Sequence, residues 1–228
     1  MRARRRALPP GVERGLDALL DRALAVQGPV ITAYVDRYRS RPRANPASVA
    51  RKLEHRYMAA VSAIGAASGG VAAVPGVGTA AALASGLAEV AGFVEATALY
   101  ALATAEVHGI RTDDPEVRRA LVLAVLLGET GMAALEAEGV AVAHWGPVLT
   151  HGVNRELIGR LNNTLMRHLG ARFGVRQGAL FLGRALPLGV GVGIGAAGNF
   201  ALARGAIKSV RRAFGRPPDQ FPTRVVTA

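Results

Sequence analysis

Residues 57–88 read YMAAVSAIGAASGGVAAVPGVGTAAALASGLA, 32 consecutive positions without a charged side chain. A bilayer is crossed by about 20 apolar residues in a helix, so length alone would let this run span a membrane. Its middle forbids one continuous helix. Gly69-Gly70 is followed by Pro75-Gly76-Val77-Gly78; proline lacks the backbone donor, and each glycine costs about 1 kcal/mol relative to alanine inside a helix. The run therefore predicts two helices joined by a turn. The second is expected from Thr79 to Val107, carrying Glu89, Glu95 and Glu106, with Gly109 as its C-cap.

Upstream, Asn45-Pro46 supplies an N-cap and a first-turn proline. Val49, Leu53, Tyr57, Ala60 and Ile64 carry that helix into the uncharged run. Gly11–Gln27 predicts an amphipathic helix, with Val12, Leu16, Leu19, Leu20, Ala23 and Leu24 on one stripe. Tyr34–Arg43 reads as a basic, aromatic connector. Met1–Pro10 is basic but lacks the apolar stretch of a signal peptide, because Glu13, Arg14 and Asp17 intervene. Both ends are therefore expected in the cytoplasm.

Downstream, Asp113-Asp114-Pro115-Glu116 is a helix start, with an acidic cap, an early proline and negative charge at the positive dipole end. Leu121–Leu127 is wholly apolar, Gly128 and Gly131 interrupt, and Met132–Glu138 is short and acidic. His144–Gly152 reads as a connector. Asn154 caps a helix with Leu157, Ile158, Leu161, Leu165 and Leu169 on one face. Ala185–Ala203 is a second uncharged run, followed by Arg204, Lys208, Arg211 and Arg212. Arg216–Ala228 holds three prolines and reads as a loose tail.

The expected fold class is all-α: a helical bundle with glycine-rich, tightly packed apolar hairpins. Its expected divisions are a basic N-terminal arm with one amphipathic helix (1–44), a helical domain (45–215) and a flexible Pro-rich tail (216–228). Half of the 228 residues are apolar, enough for a sizeable core. The 28 glycines are too many for loops alone. Gly65 and Gly69 are four apart, as are Gly189 and Gly193. Small residues at that spacing form a groove in which a second helix can approach closely, so these four are the expected packing positions.

No chemistry can be nominated from the residue pattern. The absence of Cys removes disulfides, thiolate ligands and thiol nucleophiles. Gly193-Ile194-Gly195-Ala196-Ala197-Gly198 matches a dinucleotide fingerprint in letters, but a strand should precede it and here Pro187 and a glycine ladder do. Gly76-Val77-Gly78-Thr79 lacks the lysine of a phosphate-binding loop. His55, His108, His144, His151 and His168 show no metal-ligand spacing. Ser68, Ser85 and Thr130 lack a nucleophile elbow. No catalytic residue, cofactor or metal is expected. One candidate polar site remains, Glu89 and Glu95 in otherwise apolar helix, although six residues apart on a helix lie about 120° from alignment.

Charge is distributed in blocks. Residues 1–57 carry 13 basic and 5 acidic side chains, 58–143 carry 3 and 9, and 144–228 carry 12 and 2, within a net charge of +12. Basic flanks around apolar segments suit contact with anionic lipid. Arg4, Arg5 and Arg6 at one end and Arg204, Lys208, Arg211 and Arg212 at the other are the candidate membrane-surface residues. No helix-turn-helix, zinc or RNA-binding aromatic pattern is present, so nucleic acid is not the expected partner.

Three stretches together resemble the EcsC protein family. They are Ala66–Val94, ending AALASGLAEVAGFV; Leu99–Glu116, LYALATAEVHGIRTDDPE; and Leu182–Asn199, LGRALPLGVGVGIGAAGN. The resemblance covers roughly residues 45–215. It departs from the family at His108-Gly109, where an aromatic precedes the glycine in many members, and at Arg184, where lysine is common. It implies a mostly helical bacterial protein and adds weight to a membrane-linked role, with no catalytic residue to carry over.

The leading expectation is a non-enzymatic accessory protein on the cytoplasmic face of the membrane, linked to a transport or envelope process, whose partners are anionic lipid and an integral membrane protein. The alternatives are a soluble helical enzyme or small-molecule binder with its pocket near Glu89 and Glu95, and a nucleic-acid-binding protein using the basic ends.

Overall fold

Alanine and leucine favour helix, and the capping signals punctuate it. The computed structural model describes residues 10–72, 79–110, 112–140, 143–151, 153–183 and 190–222. In order, the helices are α1 (Pro10–Arg39), α2 (Pro46–Ala72), α3 (Thr79–Val107), α4 (Pro115–Leu127), α5 (Glu129–Ala137), α6 (Trp145–His151), α7 (Arg155–Gly183) and α8 (Val190–Phe214). No strand occurs among the described residues. The fold is an all-α bundle.

Several caps form as the sequence predicts. The Asp114 carboxylate accepts from the backbone N–H of Glu116 at 2.8 Å and of Val117 at 3.4 Å. Asn154 accepts from Leu157 N–H at 2.8 Å, and Asn45 from Ser48 N–H at 2.8 Å. Gly109 ends α3 with φ +72°, a conformation in which a side chain would be strained.

The apolar run of α4 is its most enclosed part: Leu121, Val122, Leu123 and Ala124 have no exposed surface. α3 is the other central helix, with Ala98, Ala101, Ala103, Ala105 and Val107 fully buried. It packs against α1, α2, α4 and α8. α2 and α8 form the most extensive helix pair. Glu54 of α2 meets Arg211 of α8, and Met58 lies across from Arg204 and Ile207, so this pair is antiparallel. α2 and α3 are antiparallel as well: Tyr57 meets Thr97, and Ser68 meets Glu89.

Three segments differ from their sequence reading. α1 does not stop near Gln27 but continues through Gly28-Pro29 to Arg39, absorbing most of the expected Tyr34–Arg43 connector. A proline inside a helix costs about 3 kcal/mol. Ile31, Val35 and Tyr38 continue the buried stripe beyond it, and full burial is worth about 1.5–3 kcal/mol per large apolar side chain. Packing therefore outweighs the break. Arg119 of α4 binds Asp17 and, at 2.7 Å, Asp21, which ties α1 to the bundle.

The expected connector at His144–Gly152 contains α6, whose Trp145 is fully buried. Part of the tail is placed rather than loose. Arg39 donates to the Pro222 carbonyl at 2.9 Å and lies 5.0 Å from the Phe221 ring centroid. Gly109 is closely covered by the Pro222 ring.

Candidate functional site

The two carboxylates singled out from sequence do not form a common site. Glu89 accepts a hydrogen bond from Ser68 Oγ at 2.7 Å, on the α2 side of α3. Glu95 is exposed. Their angular separation on one helix keeps them apart.

The basic residues of α8 are mostly engaged within the protein. Arg211 binds Glu54 through two hydrogen bonds, at 2.8 and 2.7 Å. Lys208 and Arg212 share Glu129 of α5, at 3.1 and 2.7 Å, and this pairing holds the Glu129 carboxyl below its ordinary range. Arg204 instead lies over the Phe200 ring, 5.4 Å from its centroid. These exposed pairs staple α8 to α2 and α5, each contributing little because water and salt screen them. Glu54 and Glu129 are separated in sequence from their partners by 157 and 83 residues, which is why the pairing is not legible locally. Arg4, Arg5 and Arg6 lie outside the described residues.

Of the expected packing glycines, Gly65 is buried on α2. Gly69 lies within α2 and Gly193 within α8, while Gly189 lies outside the described residues. Close approach is explicit at other glycines. A Cβ at Gly146 of α6 would meet the Phe214 ring at 2.6 Å and the Ala213 carbonyl at 3.0 Å; one at Gly131 of α5 would overlap the Ala124 backbone; one at Gly92 of α3 would meet Ile64 at 3.1 Å. These glycines do not recur at four-residue spacing, so the helical pattern could not mark them.

The antiparallel registers give the bundle two unlike ends. At one end lie Ala72, where α2 ends, and Thr79 and Val190, where α3 and α8 begin. Leading away from it, α2 is uncharged from Met58, α3 up to Ala88 and α8 up to Ala203. The exposed positions in this zone include Ala59, Ala60, Ala63 and Ala67 of α2, Ala84, Leu87 and Ala88 of α3, and Phe200 and Ala201 of α8. Leu87 is 59% exposed and Phe200 43%. Glu89 and Arg204 stand at the zone's inner border.

The opposite end is charged and holds a cleft of about 470 Å³ between the start of α2 and the ends of α3 and α8. It is lined by Arg51, Glu54, Tyr100, Thr104, His108, Arg211, Gly215, Arg216 and Pro217, among others. Beneath it, the Tyr57 and Tyr100 rings stack at 4.7 Å. Thr97 Oγ1 donates to the Phe93 carbonyl at 2.7 Å, which leaves it to accept from Tyr57 Oη at 2.9 Å. Burial raises the pKa of both phenols, and Glu54 raises that of Tyr100 further.

His108 Nδ1 lies 2.8 Å from the Thr104 carbonyl. A carbonyl only accepts, so Nδ1 carries the proton and the neutral ring keeps its lone pair on Nε2. Nε2 is buried and hydrogen-bonds nothing. Desolvation lowers the His108 pKa, opposed by the Thr104 and Gly215 backbone and assisted by nearby His144. No group of three metal-ligating side chains occurs among the described residues.

Comparison with protein-family models, curated proteins and solved structures finds no match to this chain.

Proposed function

We propose that this protein is a membrane-surface accessory protein that seats the uncharged end of its bundle in one lipid leaflet. The observation that carries this reading is the segregation along the bundle axis. Exposed apolar side chains of α2, α3 and α8 surround one end, while the charged side chains of these three helices and the polar cleft lie toward the other. A surface of that kind, shared by several helices, is what a membrane or an apolar partner covers.

The depth of the zone favours one leaflet. Thr79 to Ala88 spans about 15 Å and Val190 to Ala203 about 21 Å at 1.5 Å per residue, against about 30 Å for the whole hydrocarbon core. One helix is long and apolar enough to cross a bilayer by composition, Ala84–Val107 of α3, but 61% of its apolar window is buried inside the bundle. It serves as a core helix. Arg204 over Phe200, at the border of the uncharged zone, matches the headgroup level, where a cation meets phosphate while its stem stays apolar.

This reading keeps the expected cytoplasmic-face location and accessory role, and with them the proposed kinship to the EcsC family. It changes the attachment. Because Lys208, Arg211 and Arg212 already have carboxylate partners, the apolar end supplies the holding force. The test is extraction of cell membranes. Seating predicts retention in 1 M salt, where the Debye length is about 3 Å, and through alkaline carbonate, with release only by detergent. Release by salt alone would contradict it.

A further inference from the structure

A groove between the α4–α5 corner and α8 begins at the border of the uncharged zone and runs toward the charged end. It encloses about 500 Å³, within the range of small-molecule sites, about 300–1,000 Å³. We propose that it holds one single-chain anionic amphiphile, a long-chain fatty acid being the simplest, with its tail along the apolar wall and its head at Lys208 and Arg212. Binding stands on the groove alone, and only the route of entry from the leaflet rests on the seating proposed above.

The lining changes character along its length. Ala201 and Leu202 form the lower mouth, Leu126, Met132 and Ala206 the wall, and Lys208 and Arg212 the upper end. Ala201 to Arg212 spans about 16 Å along α8 at 1.5 Å per residue. That is close to the depth of one leaflet of acyl chain, half of the roughly 30 Å hydrocarbon core. Gly205 also lines this space. Glycine inside a helix is costly relative to alanine, and close approach of a second helix is the usual compensation. Here the residue is exposed, and beyond its own helix nothing lies within 4 Å of where its Cβ would stand. The glycine therefore widens the groove instead of admitting a neighbouring helix.

The upper end suits an anionic head. Glu129 accepts from Arg212 Nη1 with both oxygens and pairs with Lys208 Nζ at 3.1 Å. Two cations against one carboxylate leave one positive charge uncompensated. Arg212 Nε and Nη2 and the remaining Lys208 protons take no part in these bonds, and such donors suit a carboxylate or phosphate head. The succession of wall and cations selects the ligand class. An inorganic anion would leave the wall wet, and a neutral chain would leave the cations unused.

For the test, full-length protein on phosphatidylcholine vesicles is illuminated with a diazirine-bearing fatty acid at low mole fraction, and the labelled residues are mapped by mass spectrometry. The expected result is saturable labelling confined to residues 125–132 and 201–206, competed by laurate and not by dodecanol. Gly205→Leu fills the groove, and Lys208→Gln with Arg212→Gln removes the head site; each should reduce labelling about 10-fold. Arg216→Gln, outside the groove, should not. Melting curves check folding, and Gly205→Ala, which favours the helix and adds only a methyl group, should label like the wild type. Seating is read separately: Leu87→Asp with Phe200→Asp, both outside the groove, should lose flotation yet still be labelled in buffer below the micelle concentration of the probe. Equal competition by dodecanol, labelling unchanged in Gly205→Leu, or labelling spread over all exposed apolar positions would overturn the proposal. Capture of a partner's helix in the groove without any labelling would overturn it too.

Discussion

Leu87 and Phe200 allow the seating of the apolar end to be tested at single side chains. They lie on different helices, α3 and α8, and are 59% and 43% exposed. Complete burial of such a side chain is worth about 1.5–3 kcal/mol, so the surface still open to lipid accounts for roughly 1 kcal/mol at each. Leu87→Asp with Phe200→Asp forfeits both. Holding two carboxylates near the headgroup boundary adds about 1 kcal/mol more in total. The combined loss, about 3 kcal/mol, corresponds to a fall in lipid partitioning of about a hundred-fold.

The rest of each side chain is already buried in the bundle, so stability should fall by roughly 1 kcal/mol at each, which thermal melting checks. Val30→Asp is the matched control. Val30 is 48% exposed but belongs to α1, outside the uncharged zone. Flotation across a series of lipid concentrations measures the partition coefficient. A double variant that floats like the wild type would refute the reasoning, and so would an equal loss in Val30→Asp.

Gly131→Val should destabilise the fold by about 1–3 kcal/mol, since its Cβ would overlap the Ala124 backbone, which cannot swing aside; an unchanged denaturant midpoint would contradict the close α4–α5 approach. Glu95→Gln and Glu89→Gln should leave cellular function near wild type, Glu95 because it is exposed and Glu89 because an amide oxygen can still accept from Ser68; loss of function in a folded, abundant variant would instead favour a site built on these carboxylates. His108 should make stability pH-dependent: its pKa is lowered in the folded state, so the unfolded chain binds the proton more readily, and stability falls as the pH drops below its ordinary value of 6.5. His108→Gln should flatten that slope in melts taken between pH 7.5 and pH 5 (roughly the window in which histidine titrates), and an unaltered slope would assign it to other groups.

How much was legible in the sequence depended on whether the deciding interaction was local. The division of the uncharged run into α2 and an α3 that starts at Thr79, and the caps at Asn45, Asp114 and Asn154, could be read directly, although α2 continues through Gly69-Gly70 to Ala72; proline, glycine and a capping oxygen act within three or four residues. The all-α class followed from composition and the burial of Leu161, Leu165 and Leu169 from their spacing. The extension of α1 past Pro29 was not legible, since its compensation comes from burying Ile31, Val35 and Tyr38 within the bundle. α6 was missed because seven residues show no periodicity, and Trp145 is placed by the bundle around it.

The charges divide in the same way. Sequence alone determined that basic residues flank two uncharged runs. Only the tertiary structure decided that Glu54 and Glu129 occupy three of those basic residues, and that Arg51, Arg216 and His108 meet at one cleft. It also decided that the uncharged parts of α2, α3 and α8 gather at one end. Helix formation is written in neighbours along the chain. Which charges are neutralised and which apolar faces stay open depends on packing between helices whose contacting residues lie from 21 to 157 positions apart, and a local pattern cannot encode that register.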